Sequence, residues 1–411
     1  HIQHRPDIMD ANKKDLVPQA LDSIPPAPVS DYQVIQKQMA TDFEVDTIKA
    51  ARLKGEGIRS LDRLYVKGGL GTFMTTMLDA RYHTLQSRTH SLGVDFSHFA
   101  SSGQVKDRGP SDISRNNLMV YGRKFIKKHV LGADFEVDRD VVHYFGYDPD
   151  LVNFTLPELE EEDIRQKFVR IGGELSAKSF YKDSARTNHD IRLNFYRLTD
   201  DFRVSENTFK ASAYLKHYYN NELFTLRADV DYNNMEYSTR QVNNNYIIRA
   251  APGVVARGKK WRLNLGVGVA IDAGKDEFAG NDDTKFHFYP NAYFNYRMVG
   301  DVIIPYVGVS GSLERNNLRS LTDENPFLLT DVALRNVNTK YKFYGGIRGG
   351  YSASTSFKLE ASLSRVEDMP LFVNNNLSDP NYAATIPQQV ADLQFGVIYD
   401  TVDVVNISAE V

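Results

Sequence analysis

The sequence has no cysteine in 411 residues. That removes disulfides, thiolate metal sites and cysteine nucleophiles together, and it is compatible with passage through an oxidising compartment. It also has no run of about 18 uncharged apolar residues, which excludes a membrane-spanning helix. It has little net charge: 49 basic and 53 acidic residues leave −4, so no positive excess argues for nucleic acid as a partner. Tryptophan occurs once, although Tyr and Phe number 23 each. Mean hydropathy is −0.42, a value a bundle of membrane helices would not give. A β-barrel escapes that test, because only alternate residues of each strand meet lipid. The chain opens on His1 with no charged and then apolar leader, so any export leader of the precursor is expected to have been removed.

What is present falls into two parts. Residues 1–60 include Pro25, Pro26 and Pro28 in a polar, irregular stretch, and Asp31 to Lys54 carries only scattered apolar residues. This composition reads as an extended arm rather than a fold of its own. From Arg63 the apolar residues recur with period two, the mark of a strand with two different faces. In Trp261–Asp272, the residues Trp261, Leu263, Leu265, Val267, Val269 and Ile271 oppose Arg262, Asn264, Gly266, Gly268, Ala270 and Asp272. The same alternation runs through Leu78–His83, Leu131–Asp138, Val169–Ala177, Phe224–Tyr232 and Phe357–Ser364. Roughly sixteen such strands of about ten residues are expected between 61 and 411, a length suited to a tilted bilayer crossing and longer than the usual globular strand. Val405–Val411 reads as a strand interrupted midway, so further chain and further strands are expected beyond it.

The connections carry an independent signal. Short turns are expected near 86–90, 126–129, 217–222, 257–260, 297–301 and 352–355, and longer loops near 100–115, 138–163, 233–244, 273–284, 315–339 and 366–390. Short and long alternate, as in outer-membrane barrels; 200–206 is short for its side and 178–190 long for its side. Variable connection lengths and the lack of a fixed repeat argue against a solenoid. The expected fold is therefore all-β, a large antiparallel transmembrane β-barrel, since only a closed wall satisfies every backbone group in lipid.

A barrel of this kind turns its polar face inward. Asp134, Glu136, Arg170, Glu174, Arg227, Asp229, Asp231, Arg262 and Asp272 are the candidate lumen-lining charges. Their mixed signs argue against strong ion selectivity, and a solvated wall with internal ion pairs would use the same residues. The acidic runs Glu158, Glu160–Asp163 and Asn281–Asp283 offer hard oxygen ligands for calcium or for divalent bridges to lipopolysaccharide, but neither has EF-hand spacing. Gly68, Gly69 and Gly71, and Gly345, Gly346, Gly349 and Gly350, have no following Lys-Ser/Thr pair and fit close approach or bending of strands. His83, His98, His143 and His287 are scattered, and no Ser/His/carboxylate spacing marks a hydrolase. No catalytic residue, metal site or cofactor is expected.

Several segments resemble a family of large outer-membrane barrels of Bacteroidota, similar to TonB-dependent receptors but lacking the folded plug. They are Phe43–Glu56, Tyr65–Phe73, Ser97–Asp107, Asn116–Phe125, Val141–Asp148 and, most strongly, Arg315–Leu328. The resemblance implies a Gram-negative outer-membrane location and a barrel with more strands than this sequence supplies, and it transfers no functional residues. About sixty residues before the first strand are too few for a plug, and no energy-coupling box is evident. Two functions follow as expectations. One is a porin-like or receptor-like transport barrel, marked by an open lumen. The alternative is a structural or assembly subunit of an outer-membrane complex, marked by an occluded lumen and by partners among periplasmic proteins, surface lipoproteins or other outer-membrane proteins. Outer-membrane lipid and lipopolysaccharide are expected partners of both.

Overall fold

The computed structural model describes residues 62–84, 87–103, 105–146, 164–182, 186–220, 222–277, 280–300, 302–350, 355–374 and 393–410. The arm expected over 1–60 and the acidic run Glu158–Asp163 lie outside them. Sixteen strands follow one another along the chain. They are β1 (Leu64–Leu70), β2 (Thr76–His83), β3 (His90–Ser101), β4 (Ile113–Ile126), β5 (His129–His143), β6 (Arg165–Ser179), β7 (Asn188–Thr199) and β8 (Ser205–Tyr219). Then come β9 (Glu222–Glu236), β10 (Val242–Arg257), β11 (Trp261–Asp276), β12 (Asn281–Tyr296), β13 (Ile304–Glu314), β14 (Val337–Gly350), β15 (Ser356–Asn374) and β16 (Phe395–Glu410). All lie in one sheet in sequence order, and neighbours are antiparallel, as β5 and β6 show through the register His129↔Ser179 to His143↔Arg165. This is the up-and-down wall of a large transmembrane β-barrel, and among the described residues β1 and β16 are each paired on one side only. One short helix, α1 (Leu318–Glu324), interrupts the pattern.

The two faces separate as the period-two pattern requires. Along β11, Leu265 is 51% exposed and Val267 44% exposed, with Trp261 at the strand start. Leu175, Phe195, Phe224, Phe288 and Phe343 are exposed on the same face of other strands. Apolar side chains fully turned outward are stable only against hydrocarbon. The opposite face carries the polar residues and a repeated packing device. Tyr121, Tyr196, Tyr289, Tyr344 and Tyr306 lie directly across from Gly93, Gly172, Gly268, Gly308 and Gly346. The tyrosine side chain lies beside or over the space that a Cβ on the paired glycine would fill, through its ring or hydroxyl at Gly93, Gly268, Gly308 and Gly346 and through its Cβ at Gly172, and at Gly346 a Cβ would also collide with the Leu359 carbonyl.

The strands are longer than the expected ten residues at the end of the long loops. β8 to β12 have 15 or 16 residues each. The segments read as loops at 233–244 and 273–284 are therefore mostly ladder: Asn233 pairs with Asn245, and Gly274 with Asp283. Only 237–241 and the short connection between Asp276 and Asn281 lie outside the strands. The acidic Asn281–Asp283 run belongs to β12 and not to a loop. Val405–Glu410 forms the last six residues of the 16-residue β16. Gly71 lies in the β1–β2 turn, whereas Gly68 and Gly69 are within β1.

One seam is different. β12 and β13 share only the four pairs Ala292↔Val309 to Asn295↔Tyr306. Beyond Val309, β13 leaves β12 and crosses the inner face, so that Leu313 packs with Ile247, Ala270 and Tyr289. Arg249 donates to the Leu313 carbonyl at 3.0 Å, and Tyr289 donates to Asn338 at 2.8 Å. This departure carries the connection 315–336 inside the wall.

Candidate functional site: the inward loop and the polar wall

The β13–β14 connection is held at both ends by side chains of β9, β10 and β11. Arg315 follows β13 directly and its side chain is 7% exposed. It donates through Nε to Asp231 Oδ1 at 2.7 Å, through Nη2 to the Asp231 carbonyl at 2.7 Å, and through Nη1 to Asn245 Oδ1 at 2.6 Å. Arg249 donates to the other Asp231 oxygen at 3.3 Å. A fork-shaped guanidinium fits such a corner in a way an ammonium would not. At the far end, Asn336 donates to both Asp272 oxygens at 2.9 Å, and Asn245 donates to Asp272 Oδ1 at 2.8 Å. A single stretch of wall thus grips the start and the end of the loop.

Between these grips the loop forms α1. Asn317 caps it: its side chain accepts from the Ser320 N–H at 2.9 Å, and Ser320 Oγ accepts from the Asn317 N–H at 2.9 Å, a reciprocal box. The cap is itself tied to the wall. Asn317 donates to the Tyr196 hydroxyl at 2.7 Å, Tyr196 donates to Glu206 at 2.6 Å, and the Leu318 N–H donates to the second Glu206 oxygen at 2.7 Å. Below the cap, Leu318 is buried with Phe168, Tyr196, Leu198, Val204, Met235 and Tyr237 of the β6–β10 region. The remainder of the loop packs as Leu321, Leu328, Leu329 and Val332 against Phe372 of β15 and Val397 of β16. The Leu329 N–H donates to the Phe395 carbonyl at 2.9 Å, and the Phe395 N–H to the Phe327 carbonyl at 3.0 Å. The Ser238 N–H donates to Asp331 at 2.9 Å, with the Ser238 hydroxyl bonded to the same carboxylate. The loop therefore touches strands from β6 to β11 and also β15 and β16, and it crosses the space the wall surrounds.

Asp200, in the turn between β7 and β8, adds a titratable group beneath this loop. Burial pushes its carboxyl up to about 6, opposed by hydrogen bonds from the Val204 N–H and Gln166, while the nearby Asp331 carboxylate raises it further. Asp331 belongs to the loop, so the group reports on docking.

All nine charges singled out from sequence share the face opposite the exposed apolar side chains. Asp231 and Asp272 hold the loop, as described. Glu136 lies 3.5 Å from Arg170, which also pairs with Asp138, while Asp134 takes two bonds from Arg123 at 2.5 and 2.8 Å. Glu174 lines a cavity between α1 and the wall together with Arg192, Lys210, Asp231, Arg315 and Arg319. Arg227 stacks over Tyr214 at 5.4 Å. Arg262 bonds Asn264 at 3.0 Å near the short-turn end of β11, remote from the loop. Asp229 makes no ion pair among the described residues. Arg315, Asn336, Asn245 and Glu206 were not singled out in sequence, although Arg315 opens the segment of strongest family resemblance. The histidines do not converge: His98 bonds Asn116 at 2.7 Å, His143 meets the Asp112 carbonyl at 2.7 Å, and His287 stacks on Tyr289. Among the described residues no three His, Asp or Glu side chains are grouped for a metal.

No protein-family profile and no curated protein matches the sequence. Solved structures do match in fold. The FrpB iron transporter from Neisseria meningitidis aligns with a TM-score of 0.59 at 5% identity, covering 85% of this chain and 59% of that one. The siderophore receptor PirA from Pseudomonas aeruginosa gives 0.54 at 9% identity, with 84% and 61% covered. The copper transporter OprC gives 0.55 at 10% identity, with 84% and 57% covered. The chain thus spans between half and two thirds of the length of these outer-membrane barrels, and the likeness is one of fold.

Proposed function

We propose that this chain is part of a receptor-like transport barrel of the Gram-negative outer membrane, in which the β13–β14 loop is a constriction across the solute path. The observation that carries the reading is the double grip on that loop: Arg315 on Asp231 and Asn336 on Asp272, both on the polar inner wall. A porin needs an unobstructed polar channel, so the inward loop favours a gated, receptor-like barrel over a free pore. Of the inner charges, Asp231 and Asp272 then hold the constriction, and Glu174 with Arg192, Lys210 and Arg319 lines the space beside it. Transport receptors are the fold neighbours, which supports the same choice. The outward apolar face supports insertion in the outer membrane, with the end that carries the three longest connections toward lipopolysaccharide. The test is conductance of the purified chain in planar bilayers. Wild type is expected to be nearly closed, and Arg315→Ala with Asn336→Ala to open channels; equal conductance of the two would refute a gating loop.

The alternative role, a structural subunit of an outer-membrane assembly, is favoured by the same occlusion and by the segment expected as an arm over 1–60. Gentle detergent purification with mass spectrometry separates the two: a stoichiometric periplasmic or lipoprotein partner supports assembly, and a clean barrel supports transport.

A further inference from the structure

The connections at the two ends of the wall differ sharply in charge. The seven at the end that holds the two- and three-residue turns, here the short-turn end (84–89, 127–128, 180–187, 220–221, 258–260, 297–303 and 351–355), hold eight Lys or Arg and two Asp in sequence. The eight at the other end hold seven Lys or Arg and seventeen Asp or Glu. The basic residues of the short-turn end come in exposed groups: Lys127 with Lys128, Lys182 with Arg186, and Lys259 with Lys260. None of these six makes an ion pair among the described residues; Arg186 lies over the Tyr181 ring at 5.2 Å.

A second feature coincides with them. At the same end the outer face closes with exposed aromatic residues: Tyr219 (65%), Trp261 (40%) and Tyr296 (38%). Trp261 begins β11 directly after Lys260 and Tyr296 ends β12 directly before Arg297, whereas Tyr219 ends β8 at an uncharged Asn-Asn turn, so two of the three rings border basic turns. Aromatic side chains with a polar edge settle at the level of lipid headgroups. Cations placed just beyond that level meet the headgroup phosphates, where each contributes on the order of 1 kcal/mol at an anionic surface, equivalent to about fivefold in binding.

We propose that the short-turn end is a ring-shaped binding surface for anionic phospholipid headgroups of the leaflet on that side, with the lysine pairs as phosphate contacts and the aromatic residues fixing the depth. Charge complementarity and the adjoining aromatic belt select a lipid phosphate over an acidic protein, which would need no belt. The inference rests on the membrane-barrel reading of the preceding subsection.

The experiment places the full chain in nanodiscs of phosphatidylcholine alone and of equimolar phosphatidylcholine and phosphatidylglycerol, extracts it gently, and counts retained lipids by native mass spectrometry. Phosphatidylglycerol is expected to be retained several-fold over its share of the bilayer. Lys128→Gln, Lys182→Gln, Lys259→Gln and Lys260→Gln together are expected to remove that preference, each lysine contributing up to about fivefold. Altered gel mobility on heating checks that the variant wall is folded. Equal retention of both lipids, or a preference unchanged in the folded variant, overturns the proposal. So does release of the bound lipid preference only by an acidic polypeptide that itself binds more tightly. Failure of the chain to enter bilayers at all would instead overturn the membrane reading beneath it.

Discussion

Asp231 is a carboxylate with a 4% exposed side chain between two guanidiniums, Arg315 and Arg249. Placing charges out of water costs several kcal/mol per ion, and pairing in good geometry recovers most of it. The consequence is asymmetric. Removing one partner leaves the other charges buried, so Arg315→Ala is expected to cost about 2–3 kcal/mol in loop docking, below the full range for a broken pair because Arg249 remains. Hydrogen exchange over 315–336 measures it: protection should collapse in this segment while β5 and β6 stay protected. Uniform loss, or none, would mean the pair does not hold the loop. Asp200 gives a second residue-scale prediction. Its carboxyl is raised by burial to about 6, well above an unfolded carboxyl near 4. Between those two values the undocked turn releases a proton that the docked one keeps. Docking is therefore most favoured below about pH 4, weakens as pH rises to about 6, and is constant above, a total on the order of 3 kcal/mol. Asp200→Asn should flatten this profile and retain protection at neutral pH; an unchanged profile would assign the effect elsewhere.

Single strands show why part of the fold is legible in sequence. β11 alternates Leu, Val and Ile with Asn, Gly and Asp, because one face meets hydrocarbon and the other water. Above the membrane the outer face meets water and the inner face meets the polar groups of the loop, and the contrast between them disappears. Asn233, Asn234 and Asn243–Asn245 are polar at every step, so the upper halves of β9 and β10 resemble loops although their backbones pair residue for residue. Strand number survives this loss, while strand length, and with it the regular alternation of short and long connections, does not. Packing across strands is legible only with register in hand. Tyr306 and Gly346 lie 40 positions apart and face each other across β13 and β14. Gly346→Ala would press a methyl group against the Leu359 carbonyl. Overpacking of this sort costs about 1–3 kcal/mol. The variant should lower the urea midpoint of the refolded barrel, whereas Gly68→Ala, whose methyl group would meet only the Met77 carbonyl at 3.9 Å, should be near neutral.

At the scale of the molecule, the wall was readable and the loop inside it was not. Asp231 and Asp272 stand out in sequence as inner-face charges, but their partners Arg315 and Asn336 lie 84 and 64 residues away. Nothing in a period-two pattern indicates that this long connection turns inward. The determining local feature is the short β12–β13 seam, where β13 leaves its neighbour after four pairs and carries Arg315 across the lumen face. That geometry predicts a loop that moves as a unit or remains as a lid, and the lack of native cysteine makes the choice measurable. Ser238 and Asp331 are in direct contact, one on the β9–β10 turn and the other on the loop. In Ser238→Cys with Asp331→Cys, the two introduced thiols are the only ones present, and oxidation ties the loop to the wall. If the loop gates solute, swelling of liposomes carrying the oxidised variant should be slow and should rise severalfold on reduction, above the wild-type level because the Asp331 contacts are lost as well. If the loop instead seals a scaffold, reduction should leave swelling unchanged. Arg315→Ala should then also fail to raise it, since a barrel closed elsewhere gains no path when this one loop is freed.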